Sequence, residues 1–262
     1  MKILNRGWFV LFILINAFFT LGCAAAVYYG PKYDQQNSLP GEGTLAGGRL
    51  QLTDTGSGIS ATFNRGNGSF TDFVVIYLDT GTGQLTDTKP LTDYSSTVVQ
   101  AVSGGSASHQ SVVGFAPGFK ADYAIALNPD AGGSLFHLPN GASSSLGDAV
   151  DLGLSPRRLP NDPTFTFSFQ WAALGITGSA PHSFKFETTY LTGGGYRSTQ
   201  TFENCSFSGL PGLDGTLTFS SYDTFGVAPV PEPAAWGLAS ALGLLGVCGV
   251  RWIGAARSGL RS

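Results

Sequence analysis

The sequence predicts an all-β protein: a single jelly-roll-like β-sandwich, flanked by an N-terminal signal peptide and a C-terminal transmembrane helix. Short runs of alternating or β-branched residues, separated by Gly, Asn, Asp and Pro, recur between residues 49 and 225. No amphipathic helical pattern of useful length lies between the two ends. Each end of the chain carries an apolar stretch beside basic residues.

The first 26 residues have the three parts of a signal peptide. A basic start with Lys2 and Arg6 leads into an apolar run, which ends in the small residues Ala24-Ala25-Ala26. Signal peptidase requires small side chains just before the bond that it cleaves, so Ala24 and Ala26 predict a mature protein that begins at Val27. The middle of the chain is therefore expected to leave the cytoplasm.

Two other interpretations of the N-terminus remain open. The apolar run could be a retained membrane anchor, although it is short for a membrane span. Cys23 could be a lipoprotein acylation site, although the residue three positions before it is Thr20 rather than an aliphatic residue. Under any of the three interpretations, residues 27–48 form a Gly/Pro-rich lead-in to the folded domain at residues 49–225.

The charge pattern excludes nucleic acid as a partner. Residues 27–229 contain nine basic and sixteen acidic side chains, a net charge of −7, with no run rich in Lys or Arg. Only 12% of the whole chain is charged, because Ser and Thr occupy the expected outer faces of the strands. Cys205 is the single cysteine of this region, which predicts a buried thiol or, alternatively, a disulfide between two chains.

Eleven segments are predicted to be strands because they alternate or are rich in β-branched residues. They are residues 49–53, 59–64, 72–79, 97–102, 110–115, 121–127, 134–138, 164–171, 182–190, 199–207 and 215–222.

Two of these strands carry a clear prediction about burial. In the first, Phe165, Phe167 and Phe169 alternate with Thr and Ser, which places three rings on one core-facing side. In the second, residues 73–78 are apolar on both sides, which predicts a central strand that is covered on both faces.

The C-terminal segment, residues 226–262, has a distinctive order of features. Val230-Pro231-Glu232-Pro233 precedes an apolar stretch at residues 234–250, which as a helix would be about 25 Å long. A basic tail at residues 251–262 follows, with Arg251, Arg257 and Arg261. The positive-inside rule keeps both basic ends in the cytoplasm and places the middle of the chain outside.

This order resembles the PEP-CTERM sorting signal of Gram-negative bacteria, although the arginines here are spread over eleven positions. The resemblance implies processing by a membrane-embedded exosortase after signal peptidase has acted, and only transient membrane anchoring through the C-terminal helix. It also implies a location at the cell surface or in an exopolysaccharide biofilm matrix. A plain tail anchor is the alternative.

The order of the middle strands resembles the sandwich of carbohydrate-binding module family 9 and the DOMON-like domains. The resemblance rests on residues 73–80, 118–127 and 167–175, which match strand patterns of that family in the same order. It implies a sugar site made of paired aromatic rings with polar clamps, or a calcium or haem site, but no ligand transfers residue by residue.

Motifs that would indicate catalysis are missing from the sequence. It contains no G-x-S-x-G, H-E-x-x-H, C-x-x-C, P-loop or EF-hand pattern, and its three histidines are far apart. We therefore expect no enzymatic activity and no resident cofactor. Asp79, Asp87 and Asp122 are candidate calcium ligands, since carboxylates at strand ends suit a hard cation; the alternative is that they form turns.

Loop aromatics are the candidate sugar contacts. Tyr196 and Arg197 follow three glycines, and Tyr94 follows a proline-containing loop. A ring and a guanidinium on such a loop can approach a polysaccharide, although a simple hairpin tip has the same composition. The sequence thus favours an exported structural or weakly carbohydrate-binding module; the alternative is a secreted hydrolase that acts on polysaccharide.

Overall fold

The computed structural model describes residues 25–30, 43–139, 145–146, 149–152, 161–177, 182–191, 196–208 and 214–226. The sorting motif Val230 to Pro233, the apolar residues 234–250, the three terminal arginines and Ala24 lie outside these residues. The compact unit that contains the described elements ends at Gly226.

Nearly half of the described residues are in β-strands, in mainly antiparallel sheets. The strands are β1 (Ala25–Tyr29), β2 (Arg49–Asp54), β3 (Gly58–Asn64), β4 (Phe73–Asp79), β5 (Val112–Gly114), β6 (Tyr123–Asn128), β7 (Gly132–His137), β8 (Val150–Asp151), β9 (Thr164–Gln170), β10 (Phe184–Leu191), β11 (Arg197–Thr201), β12 (Cys205–Ser208), β13 (Thr216–Phe219) and β14 (Asp223–Phe225). One α-helix, α1 (Thr97–Ser103), and one 3₁₀ turn, Trp171–Leu174, complete the described elements.

The strands form three sheets. The outer sheet has the order β1-β2-β3-β9, and the central sheet has the order β11-β10-β4-β6-β7-β8, with β14 also paired to β10. The third sheet is β12-β13-β5, in which β13 and β5 run parallel.

Two hydrophobic cores lie on opposite faces of the central sheet. The first joins it to the outer sheet and contains Leu50, Phe63, Ile76 and Phe186. The second contains Tyr77 and packs that sheet against α1 and the third sheet. A buried layer on each side explains why the central strands contain so few charged residues.

Both predictions about strand burial are confirmed. All seven residues of β4 are buried, because β4 lies between β10 and β6 and is covered on both faces. In β9, Phe165, Phe167 and Phe169 are buried in the first core, and the residues between them are exposed.

The prediction of a strand at residues 97–102 is wrong, since this segment is helix α1. The Ser96 side chain accepts a hydrogen bond from the Val99 amide, and Gly104 ends the helix in the left-handed conformation with φ 73°. The buried residues Val99, Ala101 and Val102 pack one side of the helix into the second core. Caps and tertiary packing here outweigh the β propensity of a valine pair.

Two other predicted boundaries differ from the structure. Residues 199–207 form two strands, β11 and β12, which belong to different sheets. The predicted lead-in contains part of β1, which pairs with β2 along all five of its residues, from Ala25 opposite Thr53 to Tyr29 opposite Arg49. The prediction missed β1 because a five-residue edge strand has too little alternation to stand out.

The two ends of the folded body lie at the same end of the sheets. One row of paired residues runs from Ala25 through Thr53 and Ser60 to Ser168. The same end of the central sheet holds Phe184, which pairs with Phe225 of the last strand. Trp171, just after β9, connects this row with the Phe184–Phe225 pair. Its ring centre is 6.0 Å from that of Phe184 and 6.4 Å from that of Phe225.

Among the described residues, no helix has both the length and the apolarity needed to cross a membrane.

Candidate functional site

The structure gives very different exposure to Tyr196 and Arg197, the two residues predicted to contact sugar. Tyr196 is 51% exposed, whereas Arg197 is fully buried. The prediction that Arg197 contacts a polysaccharide is therefore wrong: alternation along β11 turns it into the second core while its neighbour points outward. Tyr94 is half-buried in the loop before α1, where its carbonyl oxygen accepts a hydrogen bond from Gln100 Nε2 at 3.0 Å.

Arg197 stabilises the second core. Its Nη1 donates to Thr189 Oγ1 at 3.1 Å, and its Nη2 donates to the Ser111 carbonyl oxygen at 3.2 Å. Burial lowers the pKa of the guanidinium below its ordinary value, and the nearby Tyr77 acts in the opposite direction. These bonds tie the edge of the central sheet to the segment that enters β5, which is a structural role.

Glu187 is a buried acid on the same face of the central sheet. Its Oε1 accepts a hydrogen bond from the Ala116 amide at 3.0 Å, and its Oε2 is buried without a hydrogen-bond partner. Burial raises the pKa of this carboxyl to about 8, with a smaller contribution from Asp79. Glu187 is thus protonated at neutral pH and lies inside the protein, away from solvent.

Asp79, the first predicted calcium ligand, is bonded to donors of its own chain. Its Oδ1 accepts from the Gly81 amide at 2.8 Å, and its Oδ2 accepts from the Lys120 amide and from Lys185 Nζ, each at 3.1 Å. Lys185 Nζ also donates to the Gly118 carbonyl oxygen at 2.6 Å. A cation at this carboxylate would have to displace a lysine.

Asp122 and Asp87, the other two predicted calcium ligands, also accept hydrogen bonds from their own chain. The fully buried Asp122 accepts hydrogen bonds from the amide and hydroxyl of Thr80 and, at 2.8 Å, from the Thr82 hydroxyl. Asp87 accepts from the Lys89 amide at 2.9 Å. In the part of the chain that the structure describes, no three acidic, histidine or cysteine side chains are arranged to hold a metal. The residues present do not fit a calcium ion. The geometry favours the turn interpretation for Asp79 and Asp87, whereas Asp122 joins two segments that are distant in the chain.

His109 forms a hydrogen bond with Asp214 that the sequence did not reveal. Its Nδ1 is 2.8 Å from Oδ2 of Asp214, and both side chains are exposed. Asp214 Oδ1 also accepts from the Gln110 amide at 3.1 Å, and the hydrogen bond from His109 lowers the pKa of this carboxyl. The two residues are 105 positions apart and meet because β5 pairs with β13, so no local pattern could have paired them.

A cleft of about 520 Å³ lies beside β9, the last strand of the outer sheet. Its floor includes Ser60 of β3 and Ser168 and Gln170 of β9, which are outward-facing residues of adjacent strands. Its wall includes Val150, Asp151 and Leu152, and the Leu152 carbonyl oxygen accepts a hydrogen bond from the Ser168 amide at 3.3 Å. The volume lies within the range of about 300–1,000 Å³ that ligand pockets occupy.

The turn at one end of the cleft is held by Trp171. The indole Nε1 donates to Asp54 Oδ1 at 3.2 Å, and the backbone amide of Trp171 donates to the Ser57 carbonyl oxygen at 3.1 Å. Thr55 closes the turn through two hydrogen bonds to the Gly58 carbonyl oxygen. Because Trp171 is itself buried in the first core, the turn that carries Thr55 and Ser57 is fixed before any ligand arrives.

Sequence reasoning missed this cleft. The alternation of β9 correctly identified Ser168 as outward-facing, and Gln170 continues the same face, but the strand that faces them across the cleft is the two-residue β8. A segment this short gives no periodic signal.

Comparisons of this chain with protein-family models, with curated proteins and with solved structures gave no match.

Proposed function

We propose that this chain is an exported bacterial protein of the cell surface or the extracellular polysaccharide matrix, which signal peptidase and an exosortase process. Its body is a jelly-roll-like β-sandwich that acts as a structural or weakly carbohydrate-binding module. The sequence of both ends motivates this proposal, and the fold of the body supports it.

The observation that carries the proposal is the position of the two ends of the body. Ala25 and Gly226 lie at the same end of the sheets. Ala25, the first residue of β1, is in the row of paired residues that holds Ser168, and β14 ends where Phe225 pairs with Phe184. Before signal peptidase acts, a body built this way can be attached to one membrane through both flanking apolar segments at once. That is the topology which the basic residues at both termini predict.

The short connection to the sorting motif also fits processing at a membrane. Pro231 follows Gly226 by five positions in the sequence, so the connection between the body and the motif is short. Proline keeps its neighbours out of the α-helical conformation, which leaves the backbone near Glu232 accessible to a peptidase.

The test is to replace Glu232 and Pro233 by alanine in a host that contains the matching exosortase. We expect a larger species that stays in the membrane fraction, because the processing enzyme no longer recognises its motif. Pro229→Ala is the matched control, since it removes the proline immediately before the motif, and it should be processed normally. Unchanged processing of the double variant would refute the proposal.

A hydrolase is the alternative function, and the His109–Asp214 pair is the observation that would favour it, because such a pair can orient a general base. Both residues are exposed on turns, however, and neither lines the cleft. Among the described residues that line the cleft, Asp151 is the one carboxyl group, whereas glycoside hydrolysis requires two.

A further inference from the structure

We propose that Lys185 and Asp79 condense into an intramolecular amide, an isopeptide bond between the lysine Nζ and the carboxyl carbon Cγ, with Glu187 as the proton donor. The two side chains form an ion pair in the structure, with Nζ 3.1 Å from Oδ2. This covalent link is a modification within the body and does not depend on how the protein is exported.

The register of the central sheet holds the two reacting groups together. Lys185 of β10 is the direct partner of Asp79 at the end of β4, so both side chains lie on the same face. Two groups held about 3–3.5 Å apart in the right orientation react as though each were present at about 10⁵–10⁸ M. The fold therefore keeps in contact an amine and a carboxyl group that rarely meet in free solution.

The end of the Lys185 side chain is held in place by two further contacts. Its Nζ donates a hydrogen bond to the Gly118 carbonyl oxygen at 2.6 Å. It also lies 5.0 Å from the centre of the Tyr222 ring. These contacts restrict the amine to positions beside the Asp79 carboxyl group.

Two backbone amides prepare Asp79 for attack. The Gly81 amide donates to Oδ1 at 2.8 Å, and the Lys120 amide donates to Oδ2 at 3.1 Å. The Gly81 amide can stabilise the negative charge that develops on Oδ1 when nitrogen attacks Cγ. The Asp79 side chain is only 5% exposed, so a neutral amide removes charge from a place where water solvates it poorly.

Glu187 can supply the proton that the leaving oxygen needs. It lies two positions from Lys185 on the same face of β10 and diagonal to Asp79, a spacing that long side chains can bridge. Its Oε1 accepts a hydrogen bond from Ala116, whereas its Oε2 has no such partner among the described residues and is able to turn toward the pair. Burial raises the pKa of this carboxyl to about 8, so it holds a proton at neutral pH.

The bonds and protons of the condensation balance without another reagent. A proton passes from Lys185 Nζ to Asp79 Oδ2, and the neutral amine then attacks Cγ and forms the C–N bond. Glu187 donates its proton to Oδ2, the bond between Cγ and Oδ2 breaks, and one water leaves. The Glu187 carboxylate then takes a second proton from Nζ and ends as it began. Nothing is oxidised or reduced.

The bond would constrain the two strands at the centre of the fold. It joins residues 106 positions apart in the chain. Cys205 is the single cysteine of residues 27–229, so no disulfide can form within this region. An isopeptide bond places the same kind of constraint on the unfolded chain as a disulfide and needs no oxidant.

The experiment compares the intact masses of two variants of the exported, processed protein. Lys185→Arg keeps the positive charge but does not attack a carboxyl group, whereas Lys89→Arg is the matched control because it changes an exposed lysine outside the site. The two variants have the same composition, so their calculated masses are equal wherever the ends of the chain are cut. We expect Lys89→Arg to be lighter by about 18 Da, the mass of one water, and to yield a proteolytic peptide that joins residues of β4 and β10.

Two further measurements accompany the masses. Glu187→Gln should keep its full calculated mass, because an amide cannot donate the proton, and circular dichroism shows whether it folds. The thermal unfolding midpoint of Lys185→Arg should lie about 10 °C or more below that of Lys89→Arg. Equal masses for the two lysine variants would show an ion pair only and would overturn the inference, whether or not Glu187→Gln folds. A joined peptide in Glu187→Gln would overturn the role of Glu187.

Discussion

The Tyr28 hydroxyl donates a hydrogen bond to the Thr224 carbonyl oxygen at 2.7 Å, across 196 positions of the chain. Tyr28 lies in the first strand of the described body and Thr224 lies in the last. The Tyr28 ring also meets the Phe186 ring edge-on, with centres 4.7 Å apart. One side chain thus joins the two strands from which the flanking segments leave.

We predict that Tyr28→Phe lowers the free energy of unfolding by about 1 kcal/mol, because it removes one hydrogen bond and keeps the ring contact. Tyr28→Ala should cost about 2–3 kcal/mol, since the ring contact with Phe186 is also lost. Urea unfolding of the exported protein measures both changes. Tyr29→Ala is the control, because Tyr29 is 69% exposed, and an equal loss there would contradict a specific role for Tyr28.

Gly104 and Gly47 give a matched pair for a second prediction. Both are in the left-handed conformation, with φ 73° and 74°. A Cβ atom at Gly104 would clash with the Ser111 carbonyl oxygen and lie 2.5 Å from Arg197 Nη2, whereas one at Gly47 would meet nothing within 4 Å.

Gly47→Ala should therefore lower the free energy of unfolding by about 1 kcal/mol, the cost of the backbone conformation alone. Gly104→Ala should lower it by about 3 kcal/mol or more, because Arg197 must also lose its bond to Ser111. Thermal and urea unfolding decide the matter. Equal losses at the two glycines would show that Arg197 has room to move.

The raised pKa of Glu187 predicts how stability depends on pH. The folded protein keeps this proton up to a pH of about 8, whereas the unfolded chain loses it near the ordinary pKa of 4.5. Between these two values the folded state binds more protons, so the free energy of unfolding falls as pH rises, by up to about 1.4 kcal/mol per pH unit from this group. Above the folded pKa, the contribution of this group no longer changes.

Glu187→Gln removes this titration, so its stability should fall less steeply than that of the unchanged protein between about pH 5 and pH 8. Burial also raises the pKa of Glu203, and this second group acts in the same direction in both proteins. The difference between the two curves therefore reports the titration of Glu187, together with the small effect of Glu187 on the pKa of Glu203. Parallel curves from urea unfolding would show that Glu187 is ionised in the folded state.

Variants of Asp122 and Asp87 distinguish a structural role of these carboxylates from a calcium site. Asp122→Asn should lower the free energy of unfolding by about 1–3 kcal/mol, because it replaces a buried acceptor of hydrogen bonds from Thr80 and Thr82. Asp87→Asn should change it by less than about 0.5 kcal/mol, since an amide oxygen can still accept from Lys89. Neither calcium nor a chelator should shift the thermal unfolding midpoint. A clear rise with calcium, lost in both variants, would restore the metal interpretation.

Much of the strand content could be predicted from the sequence because it depends on neighbours one or two positions apart. The alternation of Phe165, Phe167 and Phe169 predicts a strand with one buried face, and the doubly apolar β4 predicts a central strand. Local composition also predicted the turns that Asp79 and Asp87 make, as the alternative to metal binding.

Other features depend on contacts between distant segments, and the structure alone decided them. The segment at residues 97–103 forms a helix because caps and the second core favour it over the strand that its valines suggested. The position of Arg197 in the chain predicted an exposed loop, but the register of β11 against β10 buries it.

The candidate site shows the same division. The sequence determined that Ser168 and Gln170 face outward, because period-two alternation fixes the face of each residue within its strand. Only the tertiary structure placed Val150–Asp151 opposite them and brought the two ends of the body together, since pairing between strands far apart in the chain leaves no local pattern. Hydrophobic periodicity specifies which side of a strand is buried; which strands become neighbours is settled by the burial of all those sides at once.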